Sequence, residues 1–314
     1  MNPALDFCLR TDPRVPEIDS VARWWPRHRQ AYARWRAPIE RSIAGGFDAD
    51  RVAWAFASGY QGALRALAPD LPDDVMAAMC VTEETGNRPR DIRTRIDASG
   101  DAIVVTGAKR WTTLGPESTL LLVAGTSTAG APGERASIRI VRVPAAAPGV
   151  RIELMPETRF VPEVPHARVH LDAVKLPASA LMPGDGYDGC VKPFRTIEDT
   201  HVTAAVLAYL LREARARGWA HAFVERVAAA LAAFAGIASG PPDSPVTHVV
   251  LTGALHWAHQ LYAEASVHWA SAGDADPGAQ RWRRDSALFE VAGGTRTQRA
   301  ARAWERLARP APDA

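Results

Sequence analysis

The stretch Gly100-Asp101-Ala-Ile-Val-Val105-Thr-Gly-Ala-Lys109-Arg-Trp111-Thr-Thr113 decides how the chain reads. Its first half is apolar and β-branched. It follows Arg93–Ile96 across Asp97-Ala-Ser-Gly-Asp101, a polar turn whose glycine can take the positive φ that tight turns require. Arg93–Ile96 and Ala102–Thr106 therefore read as two strands joined by a turn. Downstream, Thr119–Ala124 is a compact apolar strand. Ser137–Val143 alternates strictly, so one face is buried and the other carries Arg139 and Arg142. Val150–Leu154 and Arg168–Leu171 alternate as well, with Pro and Gly at the joins. Several short strands at close spacing predict a small β-barrel or sandwich. No parallel-sheet pattern and no G-x-G-x-x-G is visible, which disfavours a dinucleotide-binding Rossmann unit.

Outward from this block the period changes to helical. In residues 16–80, Ile18, Val21, Trp24 and Trp25 fall at helical spacing, as do Val52, Phe56, Tyr60, Leu64 and Leu67. Asp48 and Asp50 stand where an N-cap is expected before the second set. After Met182-Pro-Gly-Asp-Gly186, residues 196–235 predict one long helix or two stacked ones. A linker at Gly240-Pro-Pro-Asp-Ser-Pro245 precedes helices at about 247–271 and 279–308. The layout is α+β: an N-terminal helical domain (1–80), a middle β-barrel domain (81–185) and a C-terminal helical bundle (186–314).

Composition narrows the function. With 47% hydrophobic and 23% charged residues the chain is an ordinary globular protein, and a net charge of +2 argues against nucleic acid or an acidic membrane as partner. Cys8, Cys80 and Cys190 are far apart and lack C-x-x-C spacing, which suits a reducing cytoplasm rather than disulfides or zinc. The first residues lack an apolar signal core, and the longest apolar run, Val227–Ala238, is too short for a bilayer. A soluble cytoplasmic protein is expected. His256-Trp-Ala-His259, with His268 beyond it, reads as an amphipathic helix face against the bundle rather than a metal site, and His166 and His170 share one strand face of the β block without reading as ligands.

Five segments in order resemble the acyl-CoA dehydrogenase family. Met79-Cys-Val-Thr-Glu-Glu84 is similar to its Y-C-x-T-E-P, with Ile92-Arg-Thr94 resembling the strand that follows. Gly100-Asp101 through Lys109-Arg-Trp-Thr-Thr113 is similar to G-D…G-x-K-x-W-I-T, Pro148-Gly-Val150 to P-G-V, and His170–Pro177 to F-x-D-V-x-V-P. Near the C-terminus, Arg284-Asp285 through Gly293-Gly-Thr295 resembles the family's R-D…E-G-T.

The resemblance implies FAD, its ring held on one face by the middle domain and closed on the other by a helical bundle. Trp111 would supply flat apolar contact, and Val81, Thr82 and Thr113 would bond the ring's edge. Asn87 stands for the serine that contacts the flavin phosphate. The implied substrate is an acyl-CoA or carrier-bound acyl thioester, with electrons passed to an electron-transferring flavoprotein and the chain in a homo-oligomer or joined to a paralogue.

Most of the family places its catalytic base at the Glu of E-G-T, which here is Gly293. The isovaleryl and long-chain branches take it from the helix after the β domain, and Glu198 falls on that position. A carboxylate among apolar neighbours (Ile197, Val202, Ala205, Tyr209) has its pKa raised toward the range of an α-proton base. The competing reading is that Glu198 and Asp199 simply begin a helix, where acid suits the dipole; Glu290 is a reserve base.

Several departures bear on function. Asp199 replaces an arginine, so it would raise the Glu198 pKa and repel an acyl-CoA phosphate unless Arg195 or His201 compensates. The R-x-x-F-G stretch that grips a neighbouring subunit's cofactor is absent, as is Q-x-x-G-G, and both helical parts are shortened. Two functions follow: a flavin-dependent α,β-dehydrogenase using Glu198, or a catalytically silent relative serving a full-length paralogue as partner or scaffold.

Overall fold

The computed structural model describes residues 2–127, 137–291 and 293–309; residue 292 and residues 310–314 of the predicted C-terminal bundle lie outside them. Two compact units emerge, one of residues 1–66, 158–163 and 196–314, the other of residues 67–157 and 164–195.

The second unit is built on a mixed seven-stranded sheet: β1 (Ala77–Cys80), β2 (Arg95–Ser99), β3 (Ala102–Thr113), β4 (Leu120–Ser127), β5 (Ser137–Pro144), β6 (Val150–Leu154) and β7 (His166–Pro177). The strand order is β1-β4-β2-β3-β7-β6, with β5 on β4. Gly100 takes φ +61° in the predicted turn between β2 and β3. Alternating apolar residues (Ile96, Val105, Leu121, Val123, Val141, Val143, Val169, Leu171) close over one core.

The sheet differs from the sequence reading, which saw no parallel pattern, in two strands. β4 pairs in parallel with β1 and, at its far end, with β2. Leu120–Ala124 is a continuous apolar run, the pattern of a strand covered on both faces rather than of an exposed hairpin. β1 (Ala-Ala-Met-Cys) has good helix formers in three of its four positions and is too short to show alternation, so its sequence reads with the preceding helices.

The helical unit contains α1 (Pro3–Arg10), α2 (Val21–Tyr32), α3 (Pro38–Phe47), α4 (Val52–Leu67), most of α5 (Lys192–Arg217), then α6 (His221–Ile237), α7 (Pro245–Ser271), α8 (Pro277–Asp285) and α9 (Gly293–Leu307). Starts follow local chemistry: Asn2 caps α1 through Ala4 N (3.0 Å), Asp276 caps α8 through Ala279 N (3.0 Å), and prolines open α1, α3, α7 and α8. The expected caps of α4 act elsewhere. Asp48 closes α3 and pairs with Arg27 (2.7 Å), whereas Asp50 accepts from Ile18 N and Arg51.

Glycine lets α3 and α4 approach α5 closely. A Cβ at Gly46 would lie 2.1 Å from the Ala205 carbonyl oxygen, and one at Gly59 2.5 Å from Val202 Cα. The face of α5 that carries Val202 and Ala205 is thereby fixed. Arg51, Glu163, Arg284 and the fully buried Asp285 form an ion network; Asp285 also accepts from Val161 N (2.8 Å), which ties residues 158–163 to the helices.

Two histidines in this unit are buried. His28 stacks on Trp24 and is pushed down to about 3 by burial, and by nearby Arg65 and Arg41. His201 is pushed down to about 4 by burial, against a bond to the Ile197 carbonyl. Both therefore fold neutral. The unfolded chain takes up their protons below its ordinary value of 6.5, so stability is full above that pH and falls as pH drops toward 4. Each histidine should remove about 1.4 kcal/mol per pH unit over that window. Chemical denaturation at pH 7 and pH 5 checks this; equal stability at both would contradict it.

Candidate functional site

β3 is where the candidate residues gather. It pairs with β7 along its length, but the register shifts between Val105 and Gly107 and again between Lys109 and Thr112. The second shift is a bulge containing Trp111, whose φ is +56°. A bulky aromatic residue rarely adopts this conformation, and such strain persists only where the surroundings enforce it. The indole is 45% exposed, and of the ten tryptophans only Trp111 and Trp304 are exposed among the described residues. His166 meets the indole edge-on at 6.0 Å, Arg110 lies 5.4 Å from its centroid, and Met155 Sδ accepts from its amide at 3.4 Å.

Thr82 is brought to the same place by the backbone. Arg110 N donates to the Thr82 carbonyl (2.9 Å), so the segment after β1 runs alongside the bulge. Val81 and Thr82 are half-buried there. Thr113, also half-buried, lies two residues beyond Trp111 with its hydroxyl 3.4 Å from His166 Nε2. Asn87 is exposed on a turn closed by reciprocal Glu83–Gly86 backbone bonds (2.8 and 3.2 Å) and by Thr85 Oγ1 donating to the Asp91 carbonyl (2.9 Å). The five residues Val81, Thr82, Asn87, Trp111 and Thr113 thus all belong to the sheet unit. An exposed indole on a strained bulge, with the Thr113 hydroxyl and the Thr82 backbone close by, fits a flat heteroaromatic ring with a polar edge.

Beneath them lies a pair that sequence reasoning did not assign. Lys109 Nζ donates to Glu83 Oε1 at 2.6 Å, and both side chains are buried. Glu83 also accepts from Arg93 N (2.8 Å), Thr94 N (3.0 Å) and Thr94 Oγ1 (2.8 Å). Burial alone would push its carboxyl up, yet Lys109 and these donors hold it below the usual range. The pair bolts residues 81–83 to β3. The acid-then-Lys pattern, 26 residues apart, was its only trace in the sequence. Cys80 beside it is inert: burial pushes its thiol up to about 12.

The chain enters α5 at Lys192 directly from a π turn, Tyr187–Val191. Glu198 is therefore the seventh residue of the helix, beyond the first turn in which the dipole acts. The helix-start reading loses its physical basis. Glu198 is half-buried and shares a face with Val202, Ala205 and Tyr209, the face fixed by Gly46 and Gly59.

Asp199 finds different partners from those expected. His201 is neutral and bonds the Ile197 carbonyl, and no ion pair of Arg195 is found among the described residues. Instead α9 supplies Arg296 (2.8 and 3.0 Å) and Arg299 (2.8 Å). The Asp199 charge is answered twice over. Arg296 also donates to the Phe289 carbonyl (3.3 Å), at the turn Ser286–Glu290. Glu290 and Gly293 are exposed.

Of the other histidines, His268 stacks on Trp219 at 4.6 Å, His259 lies 5.9 Å from the Tyr262 ring and His170 lies 3.3 Å from Glu153, whereas His256, expected to pack against the bundle, is exposed because it falls on the outer face of α7. Among the described residues no group of three His, Cys, Asp or Glu could hold a metal, and no helix is long and apolar enough to cross a membrane.

Residues 78–174 match the family model described as "Acyl-CoA dehydrogenase, middle domain". The fold is similar to that of butyryl-CoA dehydrogenase from Megasphaera elsdenii (15% identity, TM-score 0.68, covering 98% of this chain and 96% of that one). It is also similar to a glutaryl-CoA dehydrogenase from Mycobacterium smegmatis in complex with FADH2 (14%, 0.65, 99% and 94%) and to the prolyl acyl carrier protein oxidase AnaB (13%, 0.69, 98% and 97%). At these identities the likeness is one of fold. No curated protein matches the sequence.

Proposed function

We propose that this protein is a flavin-dependent α,β-dehydrogenase of acyl thioesters, because residues 78–174 match the acyl-CoA dehydrogenase middle-domain model and the whole chain is similar in fold to butyryl-CoA dehydrogenase. The observation that carries the reading is Trp111. A strained backbone and a half-exposed indole both cost free energy, and both gain a purpose if a flat ring lies against the bulge. Thr82, Thr113 and the amides near Val81 would bond that ring's polar edge, and Asn87 would lie toward its phosphate end. Bound FAD supplies a hydride acceptor.

The chain's own work is to orient the thioester, keep water out and move one proton. Glu198 takes the α-proton on a carboxylate oxygen while the β-hydrogen leaves with its bonding electrons. A base for this acidity is favoured by apolar surroundings, and Glu198 is half-buried on the α5 face that carries Val202, Ala205 and Tyr209. Asp199, held by Arg296 and Arg299, is kept from acting as a second base or as an uncompensated charge. The acyl group is carried on coenzyme A or on a carrier protein, and an electron-transferring flavoprotein takes the electrons onward.

The alternative, a silent partner of a full-length paralogue, is favoured by Gly293 and by the missing inter-subunit grip. Flavin uptake separates the two. The purified chain should be yellow, or become so with added FAD, and Trp111→Ala should weaken FAD binding about tenfold or more, as loss of one stacked aromatic ring does. Colourless protein that takes up no FAD on gel filtration would sink the dehydrogenase reading.

A further inference from the structure

Next to the Trp111 bulge, the sheet unit carries a cavity of about 290 Å³ that is open to solvent on one side. Glu83 and Lys109 reach it as an internally neutral pair. Its other charged walls are unequal: Arg93, Arg110 and Arg168 stand against Glu84 alone. Arg110 and Arg168 both pair with Glu84, the latter at 3.4 Å, while the exposed Arg93 guanidinium makes no ion pair among the described residues. The Glu84 side chain is 71% exposed, so it can swing into water at little cost. An excess of two positive charges in a concave, partly enclosed space selects a dianion.

We propose that this cavity grips the diphosphate of the flavin cofactor, a role that rests on the flavin reading above. Three features point the same way. Arg110 is the neighbour of Trp111 and bonds Thr82 through its amide, so the ring contact and one of the three guanidinium groups lie on the same strand. Glu84 and Thr85 lead into the turn that carries Asn87, where the resemblance places the phosphate end of the cofactor. The chain lacks R-x-x-F-G, the stretch that would bring an arginine from a neighbouring subunit. Arginines of its own sheet unit take over that function, and Glu84 occupies their guanidinium groups until a phosphate displaces it.

Titration calorimetry of the full chain with sodium pyrophosphate, FAD and riboflavin tests this, using Arg93→Ala/Arg168→Ala and Glu84→Gln. Both arginines are at least partly solvent-facing, which spares the fold. The double variant should weaken pyrophosphate and FAD by about tenfold or more, the scale of lost charge-assisted bonds, and leave riboflavin unchanged. Glu84→Gln should tighten pyrophosphate and FAD by on the order of threefold, as removal of a competing exposed ion pair would. The opposite signs exclude a merely structural role. FAD and pyrophosphate affinities that do not change in either variant would overturn the proposal and leave the flavin reading intact. Arginine-dependent pyrophosphate binding without FAD binding would uphold the anion site and sink the flavin reading. Binding of neither would overturn both.

Discussion

Glu198→Gln is expected to leave FAD affinity unchanged and to slow exchange of the thioester α-hydrogen with solvent by about 10²–10⁴-fold, the usual contribution of a positioned base. Glutamine keeps the shape and the hydrogen-bonding capacity of the side chain but cannot accept a proton. The side chain lies in the second turn of α5, so the change touches no cap, and the helix should persist. Mass spectrometry of deuterium uptake into the recovered thioester reads the step without requiring an electron acceptor. Glu290→Gln is the matched control. Glu290 is exposed at the end of a 3₁₀ turn, and its replacement should leave exchange within about twofold of wild type, as surface substitutions usually do. Full exchange in Glu198→Gln together with loss in Glu290→Gln would move the base to the other carboxylate.

The second large effect concerns stability. Lys109→Met should destabilise the sheet unit by about 3–5 kcal/mol at pH 7, because it strands a buried carboxylate without its countercharge. Glu83 would keep two amides and the Thr94 hydroxyl, which orient it but do not neutralise it. Adding Glu83→Gln should recover much of the loss, since a neutral amide can use the same donors. The pH dependence gives a further check. In wild type the folded pKa of Glu83 is depressed, so its contribution is present above about 4.5, the usual carboxylate value, and is lost as pH falls through the folded one. In Lys109→Met the carboxyl is pushed up instead, so mild acid protonates it and removes the penalty. The deficit relative to wild type, measured by urea denaturation, should therefore shrink between pH 7 and pH 5. A constant deficit would mean that packing, not charge, holds Lys109 in place.

Much of the fold was legible because its strands alternate. Val150–Leu154 is observed with the bounds expected, and Ser137–Val143 extends by one residue. Legibility failed where the signal was short or non-periodic. α1 has eight residues, and only Asn2-Pro3 marks it. β7 was read over Arg168–Leu171 but runs from His166 to Pro177, and β3 continues past Thr106 to Thr113 through two irregularities that break alternation. Trp111 could be named from its motif, but its positive φ could not, since a bulge is set by the register of two strands whose partners there lie 55 to 60 residues apart.

The charges around the candidate site show the same limit. Asp199 stood out as a reversal, and its neighbours in sequence were the natural candidates to offset it. The actual partners, Arg296 and Arg299, lie about 100 residues away on α9 and are found only by folding. Likewise Arg93, Arg110 and Arg168 read as scattered surface residues until the sheet gathers them round one cavity. Local chemistry of capping and turns is written locally, whereas ion pairs across a fold are written in two places with nothing between to connect them.

The most direct test is to load the protein with FAD, exclude oxygen, and follow the flavin absorption band while acyl thioesters are added, both coenzyme A-linked and carrier-linked. The band should bleach in wild type and persist in Glu198→Gln with FAD still bound. A band that persists in wild type with every thioester offered, or that bleaches equally in Glu198→Gln, would contradict the assignment of this chain as a flavin-dependent dehydrogenase with Glu198 as its base.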